Sequence, residues 1–173
     1  NAKVTVIRPG IIKIPGLDYL SLLFTHHGEI ARQIEEFKPD VIIGFGILNA
    51  YLAVKAAHKN KIPFVYHWLD VLHWLIPFKP FQPLGKFIES RTLRQSDKVI
   101  AVSDKMKDFV TELGAMPDRV EVVKPGISLK TFNPTISGEA VRKQYGIKKD
   151  DTVLFFMGWL YHFSGLKEVA LEL

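Results

Sequence analysis

The sequence predicts an α/β protein built on a doubly wound parallel sheet, followed by a short second βα piece. Three observations carry this. Short, continuous apolar runs recur along the chain, each separated from the next by a segment whose apolar residues fall at helical spacing. The runs do not alternate with polar residues, which is the pattern of parallel strands covered by helices on both faces and linked by right-handed crossovers. The stretch from Asp97 to Pro134 then lays out a whole βαβ unit with almost no connecting chain.

Taken in order, residues 4–7 read as a strand ended by Pro9-Gly10. Leu20, Leu23, Phe24, Ile30, Ile34 and Phe37 recur at helical spacing and predict a long helix over 17–37. Val41-Ile42-Ile43 is a buried strand, introduced by Pro39-Asp40 and ended by Gly44-Phe45-Gly46. The alanine-rich segment 49–58 is helical, Phe64-Val65-Tyr66 is the next strand, and 84–95 is helical again. Residues 98–102 form a strand, with Ser103 as N-cap of a helix carrying Met106, Phe109, Val110 and Leu113. Gly114 stops that helix. Residues 120–123 are a further β-branched strand, broken by Lys124-Pro125-Gly126. Residues 1–134 therefore read as one Rossmann-like domain and 135–151 as a polar linker with a short helix at 139–145. Residues 152–173 read as an apolar strand at 153–157, a loop and the start of a helix.

Composition narrows the classes. The chain has 173 residues, no cysteine, and a net charge of +5 from 23 Lys and Arg against 18 Asp and Glu. Without cysteine there is no disulfide, thiolate nucleophile or thiolate-bound zinc, which fits a reducing, cytoplasmic compartment. No uninterrupted apolar run is long enough to span a bilayer and no signal peptide is read, so a soluble or peripheral protein is expected. The positive charge favours anionic partners. Lys and Arg are scattered and no recognition motif is present, so nucleic acid is not expected as a partner.

In an open α/β sheet, ligands bind beyond the carboxyl ends of the strands. That rule gathers Gly44-Phe45-Gly46, residues 67–73, Ser103 and Lys124-Pro125-Gly126 onto one rim. Gly44 and Gly46 either let backbone approach a ligand or serve only the turn, and their spacing is not that of a dinucleotide fingerprint. Residues 67–73 are the most unusual segment. If helical, His67, Asp70 and His73 share one broad face, where imidazoles can hydrogen-bond sugar hydroxyls and the neighbouring Trp68 and Trp74 can stack on rings. No orienting partner for a metal triad can be read beside them, so no metal site is predicted. Residues 68–87 mix Trp, Leu, Ile and Phe with Lys79 and Lys86, a composition suited to a membrane interface or a lipid-linked acceptor as well as to ordinary loop packing.

Asp97, Ala101-Val102-Ser103, Gly126 and Phe132-Asn133-Pro134 also stand in an order and spacing that resembles group 1 glycosyltransferases, the retaining family 4 with the two-domain GT-B fold. The resemblance runs from about Lys38 to the C-terminus. It implies most of an N-terminal, acceptor-side domain plus the beginning of the donor-binding domain. The implied activity is transfer of a sugar from a nucleotide-sugar donor to an acceptor hydroxyl, of a sugar or a lipid-linked acceptor, with retained anomeric configuration and no required cofactor. Many members carry a His-Asp pair that meets the donor sugar. The histidine place falls here on Leu69, so only Asp70 is carried over as catalytic, with His67, His73, Gly44, Gly46, Ser103 and Gly126 as substrate-binding candidates.

For the donor phosphates the resemblance points to Gly158, Gly165 and Lys167. The places where members often have Arg and Lys are Trp159 and Ser164, which carry no charge. Family members begin with a strand and glycine-rich loop that the chain lacks, and end beyond an acidic motif it does not reach, so the expectation is a catalytically incomplete fragment. The competing reading is a non-catalytic half-fold that acts as a binding module. The expected location is the cytoplasm, with peripheral contact at the inner membrane surface as a further option. The strand at 153–157 is expected either to pack on its own domain or to pair with a second copy as a homodimer.

Overall fold

The computed structural model describes residues 4–14, 17–158, 160, 161 and 164–172, with the backbone alone at Tyr19. The chain forms two compact units, Asn1–Gly126 and Ile127–Leu173. The first contains α1 (Leu17–Phe37), β1 (Ile42–Gly44), α2 (Ile47–Lys59), β2 (Phe64–Trp68), α3 (Gln82–Gln95), β3 (Lys98–Ala101), α4 (Asp104–Leu113) and β4 (Val120–Val122). Between β2 and α3 the chain makes two 3-10 turns, Leu72–Leu75 and Lys79–Phe81. The four strands form one fully parallel sheet in the order β1-β2-β3-β4. This is the α/β parallel architecture that the run pattern anticipates.

Alternation within β2 decides how the sheet is covered. Phe64, Tyr66 and Trp68 are each at most 1 % exposed, and with Val99, Ala101 and Val120 they form the core beneath the helices. Burying each of those aromatics contributes roughly 1.5–3 kcal/mol by transfer alone. Residues on the other face, Ile43, Val65, His67, Ile100 and Glu121, are half-buried or exposed. A sheet numbered consecutively with right-handed crossovers puts all its connecting helices on one side, and α1 packs on α2, α2 on α3, and α3 on α4. The expected helical cover is therefore found on one face among the described residues.

Local sequence explains the junctions. Ser103 has extended backbone and its Oγ accepts a 3.2 Å hydrogen bond from the Met106 amide, closing the N-terminus of α4 as its position predicts. Gly114 ends the helix at φ +127°, a backbone conformation that favours glycine. At the amino end of the sheet, Asp97 Oδ2 accepts a 2.8 Å hydrogen bond from the Phe64 amide and ties the start of β3 to the start of β2.

Three expectations need correction. Residues 4–7 make no strand: Val4 and Val6 are 85 % and 68 % exposed, and no described strand runs beside them. Residues 153–157 make none either, 42–84 % exposed, because the described residues of the second unit contribute α5 (Glu139–Tyr145) and α6 (Leu166–Leu171) but no partner strand. Isolated strands have no ladder to satisfy their backbone groups. The segment 67–73 is not a helix, since β2 extends through Trp68 in register with Ala101 of β3. Trp159 and His162 lie outside the described residues.

Candidate functional site

Strand register places the four expected loops together. Gly44 pairs with Tyr66, Trp68 with Ala101, and Ala101 with Val122, so the carboxyl ends of β1 to β4 stand side by side. Gly44-Phe45-Gly46, residues 69–73, Ser103 and Lys124-Pro125-Gly126 all leave the sheet at that rim. There the two glycines play different parts. A Cβ on buried Gly44 would sit 2.4 Å from Phe64 Cζ, so Gly44 serves the packing of the Phe64 ring. Gly46 is at φ +86° with open space where a Cβ would point, and it opens α2 without a side-chain cap. Gly126 has open space around it and is exposed.

The histidine and aspartate candidates separate. His67 lies within β2 and faces the less covered side of the sheet, opposite Tyr66 and Trp68. Asp70 follows in a bend, exposed, with Oδ1 accepting a 2.7 Å hydrogen bond from the Val71 amide. His73 stands in the 3-10 turn and is only 3 % exposed. A shared face is thus corrected to three distinct positions. Trp68 is also withdrawn as a stacking platform: it is 1 % exposed and its Nε1 donates to Met106 Sδ at 3.1 Å. Trp74 remains half exposed. No group of three or more His, Asp or Glu among the described residues could hold a metal ion.

Sequence reasoning missed Glu89. It is 0 % exposed, on the buried side of α3, and one carboxylate oxygen meets His73 Nδ1 in a short hydrogen bond. Its other oxygen, Oε1, is buried without a partner. Burial pushes this carboxyl up to about 8, against a smaller opposing contribution from a backbone hydrogen bond of His73. His73 is held below its ordinary value, first by burial and then by the nearby Lys86 charge. Tyr66, whose Oη donates 3.2 Å to the Gly46 carbonyl, is raised by burial and by Glu89. A signal for Glu89 was present: Gly85, Glu89, Thr92 and Leu93 fall at the inward positions of α3. An acid on a core stripe marks a buried polar contact.

A cleft of about 540 Å³ adjoins the rim, between α1 and the free edge of β1. Ile30, Phe37, Ile43 and Phe45 line it, with His26 Nδ1 and Asn49 Oδ1 paired at 2.9 Å on its wall. In the second unit, Gly158 is at φ +151° and Gly165 at φ +72°, the latter opening α6. Lys167 is exposed on that helix.

Comparison with known proteins decides the family. The model for Glycosyltransferase Family 4 matches residues 1–131. The chain belongs to this family. Two similar curated proteins are D-inositol 3-phosphate glycosyltransferases. The one from Frankia alni is 30 % identical over 126 residues, 69 % of this chain and 30 % of that protein. The one from Kribbella flavida is 36 % identical over 84 residues, 48 % of this chain and 19 % of that protein. The Family 4 chain therefore spans at most about a third of the length of these relatives. Among solved structures, Anabaena HepE in complex with UDP superposes with a TM-score of 0.56 at 17 % identity, covering 79 % of this chain and 35 % of that one. A glycosyltransferase from Rickettsia africae gives 0.53 at 19 % identity, covering 84 % and 36 %. At such identities the two structures speak for the fold, a GT-B-type half with a parallel sheet.

Proposed function

We propose that the protein is a glycosyltransferase moving a sugar from a nucleotide-sugar donor to an acceptor hydroxyl with retention, and that this chain supplies the N-terminal, acceptor-side part of the cleft. The observation that carries the reading is the Family 4 match across the parallel sheet whose carboxyl rim gathers the candidate residues. The UDP bound by Anabaena HepE supports a uridine diphosphate donor. The small share of the Frankia alni and Kribbella flavida relatives that the chain covers supports a longer working enzyme, with the donor held mainly by a second domain that begins near Gly158, Gly165 and Lys167.

The chemistry needs a leaving nucleoside diphosphate and an oxocarbenium-like sugar to be stabilised, and positioning within a closed cleft can do this without an enzymic nucleophile. In this scheme Asp70 meets the sugar or acceptor from the end of β2. Gly46 presents the uncapped amides of α2 at the rim, Ser103 sets the entry of α4, and Gly126 shapes the last turn. Sugar transfer from a UDP-sugar, with the product linkage read by NMR, tests the reading. A product of retained configuration is expected; an inverted one overturns retention.

A lipid-linked acceptor is favoured by one surface. Trp74, Phe78, Phe81, Leu84 and Phe87 are each 51–60 % exposed within the segment from the first 3-10 turn into α3. From 74 to 94 the exposed charges are Lys79, Lys86, Arg91 and Arg94, and the single acid, Glu89, is buried. Aromatics ringed by cations suit an anionic headgroup layer. Pelleting with vesicles of anionic but not neutral lipid is expected, and no pelleting at low salt would remove the membrane part of the proposal.

A further inference from the structure

Glu89 is an anomaly on stability grounds. A carboxyl with no exposure and an unpartnered oxygen is less stable in the core than a satisfied group. A leucine at that place would fill a similar volume and remove the cost, as apolar replacement of buried polar contacts often does. What the carboxyl adds is a hold on one imidazole. His73 is already flanked by rings: Phe109 stacks on it at 6.3 Å and 16°, and Trp74 meets it edge-on at 5.9 Å. Gly85 lets α3 come close, since a Cβ there would lie 3.3 Å from His73 Cβ and 3.5 Å from Ile47 Cδ1.

His73 stands in the 3-10 turn that follows the carboxyl end of β2, and Gly85 lies between it and Ile47. Ile47 is the first residue of α2, directly after Gly44-Phe45-Gly46. The Nδ1 atom is taken by Glu89. Among the described residues, Glu89 Oε1 is the buried side-chain nitrogen or oxygen left without a hydrogen bond. His73 Nε2 has no hydrogen bond to the described residues, and the residue as a whole is 3 % exposed. One nitrogen is anchored inward and the other is left for a ligand.

We infer that Glu89 is a positioning residue: its hydrogen bond to Nδ1 fixes the His73 ring and tautomer, so that Nε2 is presented at the rim to a hydroxyl of the bound sugar or acceptor. The inference rests on the glycosyltransferase reading for the identity of that hydroxyl. It places the rim's imidazole at His73, inside the 3-10 turn, and not at strand residue His67. A protonated Glu89 donates to Nδ1 and leaves the proton on Nε2, making that second nitrogen a donor.

The test uses the full-length protein with nitrogen-15-labelled histidine and two variants. Glu89→Gln keeps a donor toward Nδ1; Glu89→Leu keeps the volume and removes the hydrogen bond. In wild type and Glu89→Gln, the His73 ring nitrogens are expected to show the separated signals of one fixed tautomer; in Glu89→Leu, the averaged signals of two. With that change, kcat for sugar transfer should fall about 10²-fold in Glu89→Leu at little change in KM, the scale of loss for a misplaced reacting group, and Glu89→Gln should restore most of it. An unchanged kcat in a folded Glu89→Leu, or an unchanged ring signature, overturns the inference. A wild type that transfers sugar from no donor overturns the functional reading instead, and the ring signature still decides whether Glu89 holds His73.

Discussion

Replacing Glu89 with Gln should remove a pH dependence of stability that the wild type carries between about pH 6.5 and 8. Burial pushes the folded carboxyl up to about 8 from an ordinary 4.5. In the unfolded chain this acid is ionised throughout the window, whereas the folded protein keeps it protonated. Folding therefore takes up a proton, and its stability falls as pH rises through 8. The other groups facing the carboxyl are His73 from the 3-10 turn and Tyr66 from β2, with Lys86 on the same helix acting on His73. His73 is held below 6.5, so under that pH its unfolded form gains a proton that the folded ring resists, and the two contributions oppose each other. What separates the wild type from Glu89→Gln across the window is the Glu89 carboxyl. The limiting slope is about 1.4 kcal/mol per pH unit, which integrates to about 2 kcal/mol across the window. Urea unfolding of wild type and Glu89→Gln at stepped pH isolates it, because every other group is common to both. The wild type should lose about 2 kcal/mol relative to the variant. Parallel curves, or a relative gain by wild type, would refute the burial argument.

Other expectations follow from single contacts. Gly44→Ala should destabilise by about 1–3 kcal/mol in thermal or urea unfolding, because its Cβ overlaps the Phe64 ring at 2.4 Å and overpacked cores lose that much. Ser103→Ala should cost about 1 kcal/mol through loss of the bond to the Met106 amide, and Ser103→Asp should restore most of it. Asp70→Asn should lower sugar transfer about 10²-fold while leaving the unfolding midpoint within error, since the side chain is exposed and bonds only the neighbouring amide. Phe78→Ser with Phe87→Ser should abolish pelleting with anionic vesicles without altering the far-ultraviolet circular dichroism, as both rings stand about 60 % exposed.

The main architecture was legible where local chemistry and tertiary need coincide. The spacing of Ile30, Ile34 and Phe37 located α1, which spans 17–37 as expected, and the Ser103 cap and Gly114 stop bracketed α4 because each satisfies orphan backbone groups of its own helix. The parallel pairing followed from the continuous apolar runs, whereas the consecutive strand order, with its helices on one face, appears only in the structure. What failed depended on partners that sequence cannot supply. The β-branched run at 4–7 and the apolar run at 153–157, with its valine and two phenylalanines, have strand propensity, yet a strand needs a neighbour to accept its ladder, and neither has one among the described residues. Residues 67–73 show the same limit from the other side: their three-residue spacing suited a helix, but pairing with β3 drew His67 and Trp68 into β2. At the site, loop positions were readable from strand ends, whereas Glu89 was hidden within a helix and became visible only when the packing brought it against His73.

The most direct test of the account is transfer of radiolabelled glucose from UDP-glucose, and of other sugars from a panel of UDP-sugars, into a lipid and water-soluble extract of the source organism by the full-length protein. The account expects label to move into an acceptor with stoichiometric release of UDP, and to move about 10²-fold more slowly in Asp70→Asn. A folded full-length protein that transfers no sugar from any donor in the panel would contradict the glycosyltransferase reading and leave this rim as a binding surface without chemistry.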